Sequence, residues 1–235
     1  MKVLILGDSV PFPHSNGQRI EAAWPQLLLR GLREQGHEVD CYWFRCLAGA
    51  TVREILIEAQ KLRSFMEGPL WRQEFDLAVC QIGAVDSCPR AYPRFMHGLL
   101  QNSPIGRSVL RWVSRHYAFL CNLYGRTWTS EKRWRDYVRI LAGTLQGYAQ
   151  RTVFLEICAP GPGLVSKVPG IADKIAGYNR LLRETVAAAA TPNRVTVTLA
   201  PCAAGPLAEL LQADGTHLTE RGHQLVAGAV LEHVA

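Results

Sequence analysis

A serine stands close to the start of the chain, in GDSV (Gly7 to Val10), and an aspartate and a histidine stand three residues apart near the other end, in DGTHLTERGH (Asp214 to His223). A serine hydroxyl is a poor nucleophile until a base takes its proton, and a histidine oriented by a carboxylate is a common base. On a tight Asp-Gly loop the Asp214 carboxylate can hold the His217 ring and leave its other nitrogen facing Ser9. Each residue alone has an ordinary explanation: a serine after a strand caps a turn, Asp-Gly is a common turn pair, and a histidine at a helix start is usually solvated or structural. The combination in the order Ser, Asp, His, one of the known triad orders, points to attack on a carbonyl carbon.

Such residues need a scaffold that brings the two chain ends together. Val3 to Leu6 is a continuous apolar run ended by Gly7, the pattern of a buried parallel strand before a functional loop. His37 to Phe44, Phe75 to Ile82, Arg151 to Ile157 and Arg194 to Leu199 read as four further strands. Helices are expected from Pro25 to Gln35, from a Thr51 cap to Leu62, over 171 to 190, and over 219 to 234, where Leu225, Val226, Ala229, Val230 and Val234 share a face. Strands alternating with helices predict an α/β fold: a three-layer α/β/α sandwich around a five-stranded, mostly parallel sheet. In such sheets ligands bind beyond the carboxyl ends of the strands, which singles out Gly7-Asp8-Ser9, Leu47 to Thr51, Gly83 to Asp86, and the loop before the last helix.

Four blocks at these places, GDSV at 7 to 10, LAGATV at 47 to 52, GAVD at 83 to 86 and DGTHLTERGH at 214 to 223, resemble in order those of the SGNH, or GDSL-type, hydrolase superfamily. The resemblance spans essentially the whole chain and implies a single SGNH hydrolase-like, flavodoxin-like domain over 1–235. It implies Ser9 as nucleophile, His217 as general base and then acid, Asp214 as its partner, and the backbone N–H groups of Ser9 and Gly49 as part of an oxyanion hole. The third block departs from the G-x-N-D pattern: Val85 replaces the asparagine whose amide donates to the oxyanion. Arg90 is a candidate substitute or substrate contact, with pairing to Asp86 as its plain alternative; Asp86 reads as structural and Cys88 as lining.

The substrate expected is an ester of a small polar, carbohydrate-like or anionic metabolite, with no metal or organic cofactor. The same attack serves an acyltransferase, with an acyl acceptor or carrier as partner, and the loss at Val85 leaves open a catalytically weak binding protein. A glycosyltransferase-like opening leaves DGTHLTERGH unexplained, and GDSVPF lacks the glycine spacing of a dinucleotide site.

The 235 residues carry a net charge of +6, with much of the excess between Gln101 and Leu141. That segment interleaves arginines with Trp112, Tyr117, Phe119, Tyr124, Trp128, Trp134 and Tyr137, and a helical lid is expected over about 98–148. Without a recognisable module, the charge alone does not indicate nucleic acid. No signal-peptide pattern or membrane-spanning run is present in the sequence, so a cytoplasmic protein is expected. Seven cysteines without paired C-x-x-C spacing are expected to be free thiols.

Overall fold

The computed structural model describes residues 1–11, 19–39, 41–46, 49–66, 74–93, 96, 100, 104–191, 194–204 and 206–234. The strands β1 (Lys2–Gly7), β2 (Cys41–Cys46), β3 (Phe75–Gln81), β6 (Ala149–Leu155) and β7 (Val195–Leu199) form one sheet in the order β2-β1-β3-β6-β7. Four pairings, all parallel, join the five strands. The short strands β4 (Pro89–Arg90) and β5 (Arg126–Thr127) make a separate antiparallel pair.

Alternation along the strands builds two cores. Leu4, Leu6, Ala78, Cys80 and Phe154 face one side, where α2 (Val52–Met66), α6 (Glu131–Gln146) and α8 (Ile171–Ala189) cover them with Ile55, Trp134, Leu141, Tyr178 and Leu182. Val3, Ile5, Leu77, Val79 and Val153 face the other, under α1 (Trp24–Glu34) and α10 (Glu220–Val234), which contribute Trp24, Leu28, Leu32, Val226 and Val230. These side chains are almost wholly removed from water, and burial of a Leu or Ile stabilises by about 1.5–3 kcal/mol each. The three layers and the parallel sheet agree with the sequence reading.

Helix ends follow local chemistry. Pro25 sits in the first turn of α1, where its missing N–H costs nothing. Glu54 reaches back to accept from the Thr51 N–H at 2.8 Å, half of a capping box at the start of α2. That helix runs to Met66, beyond the expected end at Leu62, and β2 begins at Cys41, later than the expected His37.

The expected lid segment divides in two. Helices α4 (Pro104–Arg115) and α5 (Tyr117–Tyr124) form a satellite pair whose Val113, Leu120 and Cys121 share a small cluster with Ala91. In contrast, α6 belongs to the main core through Trp134, Val138 and Leu145. Residues 98, 99 and 101–103 of that segment lie outside the described residues. Two short helices, α3 (Ala84–Ser87) after β3 and α7 (Pro162–Lys167) after β6, and a third, α9 (Leu207–Leu210), lie in the loops at the carboxyl end of the sheet.

Candidate active site

Ser9 follows directly on β1, and the loop carrying Asp214 and His217 leads into α10, so both arrive at the same sheet edge. His217 Nε2 lies 3.3 Å from Ser9 Oγ, and His217 Nδ1 lies 2.5 Å from Asp214 Oδ2. The other Asp214 oxygen accepts from the backbone N–H groups of Thr216 at 2.9 Å and His217 at 3.0 Å. Partial burial pulls the Asp214 carboxyl upward, but the bonds from His217 and Thr216 outweigh it and hold the group below its ordinary value. The sequence-predicted trio is therefore assembled, with a carboxylate ready to fix the imidazole tautomer.

The loop is shaped by its own backbone. The Gln212 N–H donates to the His217 carbonyl, Gly215 N–H to the Gln212 carbonyl, and the Gln212 side chain to the Leu218 carbonyl, each at 2.8 Å. Gly215 has φ +73° and touches the start of α7 so closely that a Cβ there would stand 2.8 Å from Leu164 Cβ. Both facts demand glycine.

Beside Ser9 lies a buried carboxylate. Asp8 accepts from the Val10 N–H at 2.9 Å through Oδ1, and its Oδ2 has no hydrogen-bond partner among the described residues. Burial, assisted by the nearby negative Asp86 and opposed by the Val10 and Ala84 N–H groups, pushes the Asp8 carboxyl up to about 7. Asp86 accepts from the Val52 N–H at 2.9 Å and from the Thr129 hydroxyl, tying the loop after β3 to the start of α2 and to the turn before α6. This is the structural role read for it from the sequence.

A cavity of about 600 Å³ opens beside Ser9. Val85, Ile157, Leu164, Val168, Ile171 and Ile175 give it an aliphatic wall, while Arg90, Arg115 and Lys167 bring positive charge to its lining. Val85 is 8% exposed, so the position where the resemblance expects an asparagine offers only methyl groups. Arg90 donates through Nη2 to the Val85 carbonyl at 3.2 Å and stacks over the Trp128 ring at 4.2 Å. It is thereby held at the cavity by contacts other than the expected pairing with Asp86. Cys88 lines the cavity too, its thiol pushed up by burial, against a reactive role. Gly49, exposed with φ +70°, is not among the residues lining this cavity; Leu47 and Ala48 of the same block lie outside the described residues.

Sequence reasoning missed several neighbours. Gln81 lines the cavity and accepts from the Trp24 indole N–H at 2.7 Å, but a glutamine at a strand end carries no signal in the sequence. Cys158 and Cys202 are joined by a disulfide, which corrects the expectation of free thiols throughout; Cys80, Cys88 and Cys121 are free. The pair was hidden because its partners lie 44 residues apart and meet only where β6 and β7 end side by side. Among the described residues, no group of acids, histidines and cysteines could hold a metal ion, and no helix is long and apolar enough to cross a membrane.

No protein-family model matches the chain, and no curated protein matches it by sequence. The fold, however, matches solved structures from end to end. A lipase/acylhydrolase from Enterococcus faecalis superposes with a TM-score of 0.64 at 15% identity, over 99% of this chain and 94% of that one. A variant of Axe2, an acetyl xylan esterase from Geobacillus stearothermophilus, gives 0.60 at 15%, over 100% and 94%. TesA gives 0.58 at 15%, over the whole of both chains. The chain has the fold of the SGNH/GDSL-type hydrolases, the superfamily its four blocks resemble.

Proposed function

We propose that the chain is a serine hydrolase that cleaves a carboxylic ester through an acyl-enzyme. The observation that carries this reading is the His217 ring with one nitrogen 3.3 Å from Ser9 Oγ and the other 2.5 Å from Asp214. Ser9 Oγ attacks the ester carbonyl as His217 Nε2 takes its proton; the tetrahedral oxyanion then collapses, and the alkoxide leaves with that proton. Water, deprotonated by His217, attacks the acyl-enzyme and releases the acid and Ser9. The Ser9 backbone N–H, at the cavity, is assigned to the oxyanion, whereas Gly49, which does not line the cavity, is given no part in it. An acyl group packs against the aliphatic wall of Val85, Ile157, Val168 and Ile171, and a polar or anionic portion of the substrate faces Arg90, Arg115 and Lys167. Arg90 thus serves as a substrate contact.

Intact-mass detection of a fluorophosphonate adduct tests this. One adduct is expected on the wild type, none on Ser9→Ala and slow labelling on His217→Ala; an unlabelled, folded wild type overturns the reading. The missing amide donor at Val85 favours a second reading, a catalytically weak binding protein on the same fold, which that outcome would promote. Acyl transfer enters only at the second step, and added alcohol acceptors distinguish it by the ratio of transfer product to free acid.

A further inference from the structure

Helix α4 has three stripes where packing requires one. Gly106 and Val113 are buried. Arg107, Arg111 and Arg115, spaced i, i+4 and i+8, form an exposed cationic stripe. Ile105, Val109 and Trp112, spaced i, i+4 and i+7, form a third that also faces solvent, with Ile105 79% and Trp112 54% exposed. Helix α5 adds Phe119 and Leu123, one turn apart and 66% and 64% exposed, and Tyr124. Single apolar residues on a surface need no explanation, but six large ones on one helical pair mark an interaction face.

The charge of the region says what meets that face. From Ser87 to Ser130 the sequence has no aspartate or glutamate, and its six arginines, Arg90, Arg94, Arg107, Arg111, Arg115 and Arg126, equal the net charge of the whole chain, +6. An occupant must offer negative charge and apolar depth together. A polynucleotide meets the arginines but leaves Ile105, Trp112 and Phe119 in water. A helix with an apolar stripe beside a cationic one is instead the form that lies in a lipid–water interface, with its aromatic and aliphatic residues at the headgroup boundary and its arginines on anionic headgroups. The same pair supplies Ser114, Arg115, Tyr117 and Ala118 to the cavity lining, so the cavity adjoins the face.

We propose that the exposed α4–α5 face docks on an anionic lipid surface, Ile105, Trp112, Phe119 and Leu123 entering it and Arg107 and Arg111 pairing with headgroups. This holds whatever the chemistry at Ser9, and its test uses no substrate.

Co-sedimentation with phosphatidylcholine vesicles, with and without phosphatidylglycerol, reads the docking directly. Wild type is expected to bind the anionic vesicles at least about tenfold more tightly than the neutral ones. Trp112→Ser/Phe119→Ser and, separately, Arg107→Glu/Arg111→Glu are each expected to weaken that binding by about tenfold or more with thermal melting unchanged. Wild type that ignores anionic vesicles overturns the proposal. So does binding that survives Trp112→Ser/Phe119→Ser, which would leave a plain basic surface open to any polyanion. Self-association without lipid, abolished by the same apolar variant, would overturn it by assigning the face to a second copy of the chain.

Discussion

Val85 is the residue at which the site departs from the pattern its blocks resemble. It lines the cavity with methyl groups where an amide donor is expected, and loss of one oxyanion donor lowers kcat by roughly 10²–10³. Restoring the donor therefore reports on the site as found. Val85→Asn is expected to raise kcat for a small activated ester by at least about tenfold with little change in KM; no gain would mean that another group already fills the role. Asp8, beside Ser9, couples the same site to pH. Its folded-state value of about 7 lies above the ordinary carboxylate value, so the stability tied to neutral Asp8 is complete below about pH 4 and is lost as pH rises through 7. Asp8→Asn stays neutral throughout. Urea unfolding from pH 4 to 8 should show the variant gaining on the wild type by up to about 4 kcal/mol as pH rises; a pH-independent difference would refute a raised value. His223 works in the opposite sense: burial, then the charge on His217, pull it down to about 4, so its contribution is present above pH 6.5 and is lost as pH falls through 4. The Asp8 comparison is thus made variant against wild type, where the His223 contribution cancels.

At the scale of elements, the site is a meeting of loops fixed by close backbone approaches. Gly161 donates its N–H to the Gly215 carbonyl at 3.0 Å, and a Cβ on Gly161 would stand 2.9 Å from Gly215 Cα, so the loop after β6 braces the Asp214–His217 loop through two glycines. Gly83, at φ +109°, starts α3 with no room for a Cβ against Ile157 and Trp134, and this turns Val85 into the cavity and Asp86 toward Val52. Much of this order was legible. Continuous apolar strands ending in glycine located the carboxyl edge of the sheet, and the spacing of Asp214 and His217 on an Asp-Gly turn gave the orientation of the ring. What stayed illegible depends on contacts far apart in sequence. Trp134 and Tyr137 read like the other aromatics of a basic segment, yet α6 carries Trp134 into the core, while Trp112 and Phe119 stay outside. Arg115 and Lys167, from α4 and α7, line one cavity although they are 52 residues apart in sequence. Periodicity marks which residues share a helix face but not what that face meets.

Over the whole molecule, the carboxyl end of the sheet carries the candidate site, the cavity and a covalent link. The edge strand β7 is only half-buried, held to β6 on one side, and Cys202 in the turn after it is bonded to Cys158 beyond β6. Cys158 lines the cavity, so the link also anchors the strand-end loop that braces the His217 loop. Closing a loop with a sequence separation of 44 removes unfolded-state entropy corresponding to about 4 kcal/mol. Cys202→Ser, at the buried end away from the cavity, isolates this effect. Its unfolding free energy is expected to fall by about that amount relative to oxidised wild type, and wild type with a reductant should fall equally. Equal stability of all three would remove the bond from any account of the fold. The bond also bears on location, because cytosolic reductants keep such pairs open. Alkylation and intact mass of freshly isolated protein decide between the cytoplasmic placement expected from the sequence, in which Cys158 and Cys202 both take the label, and an oxidising compartment, in which neither does.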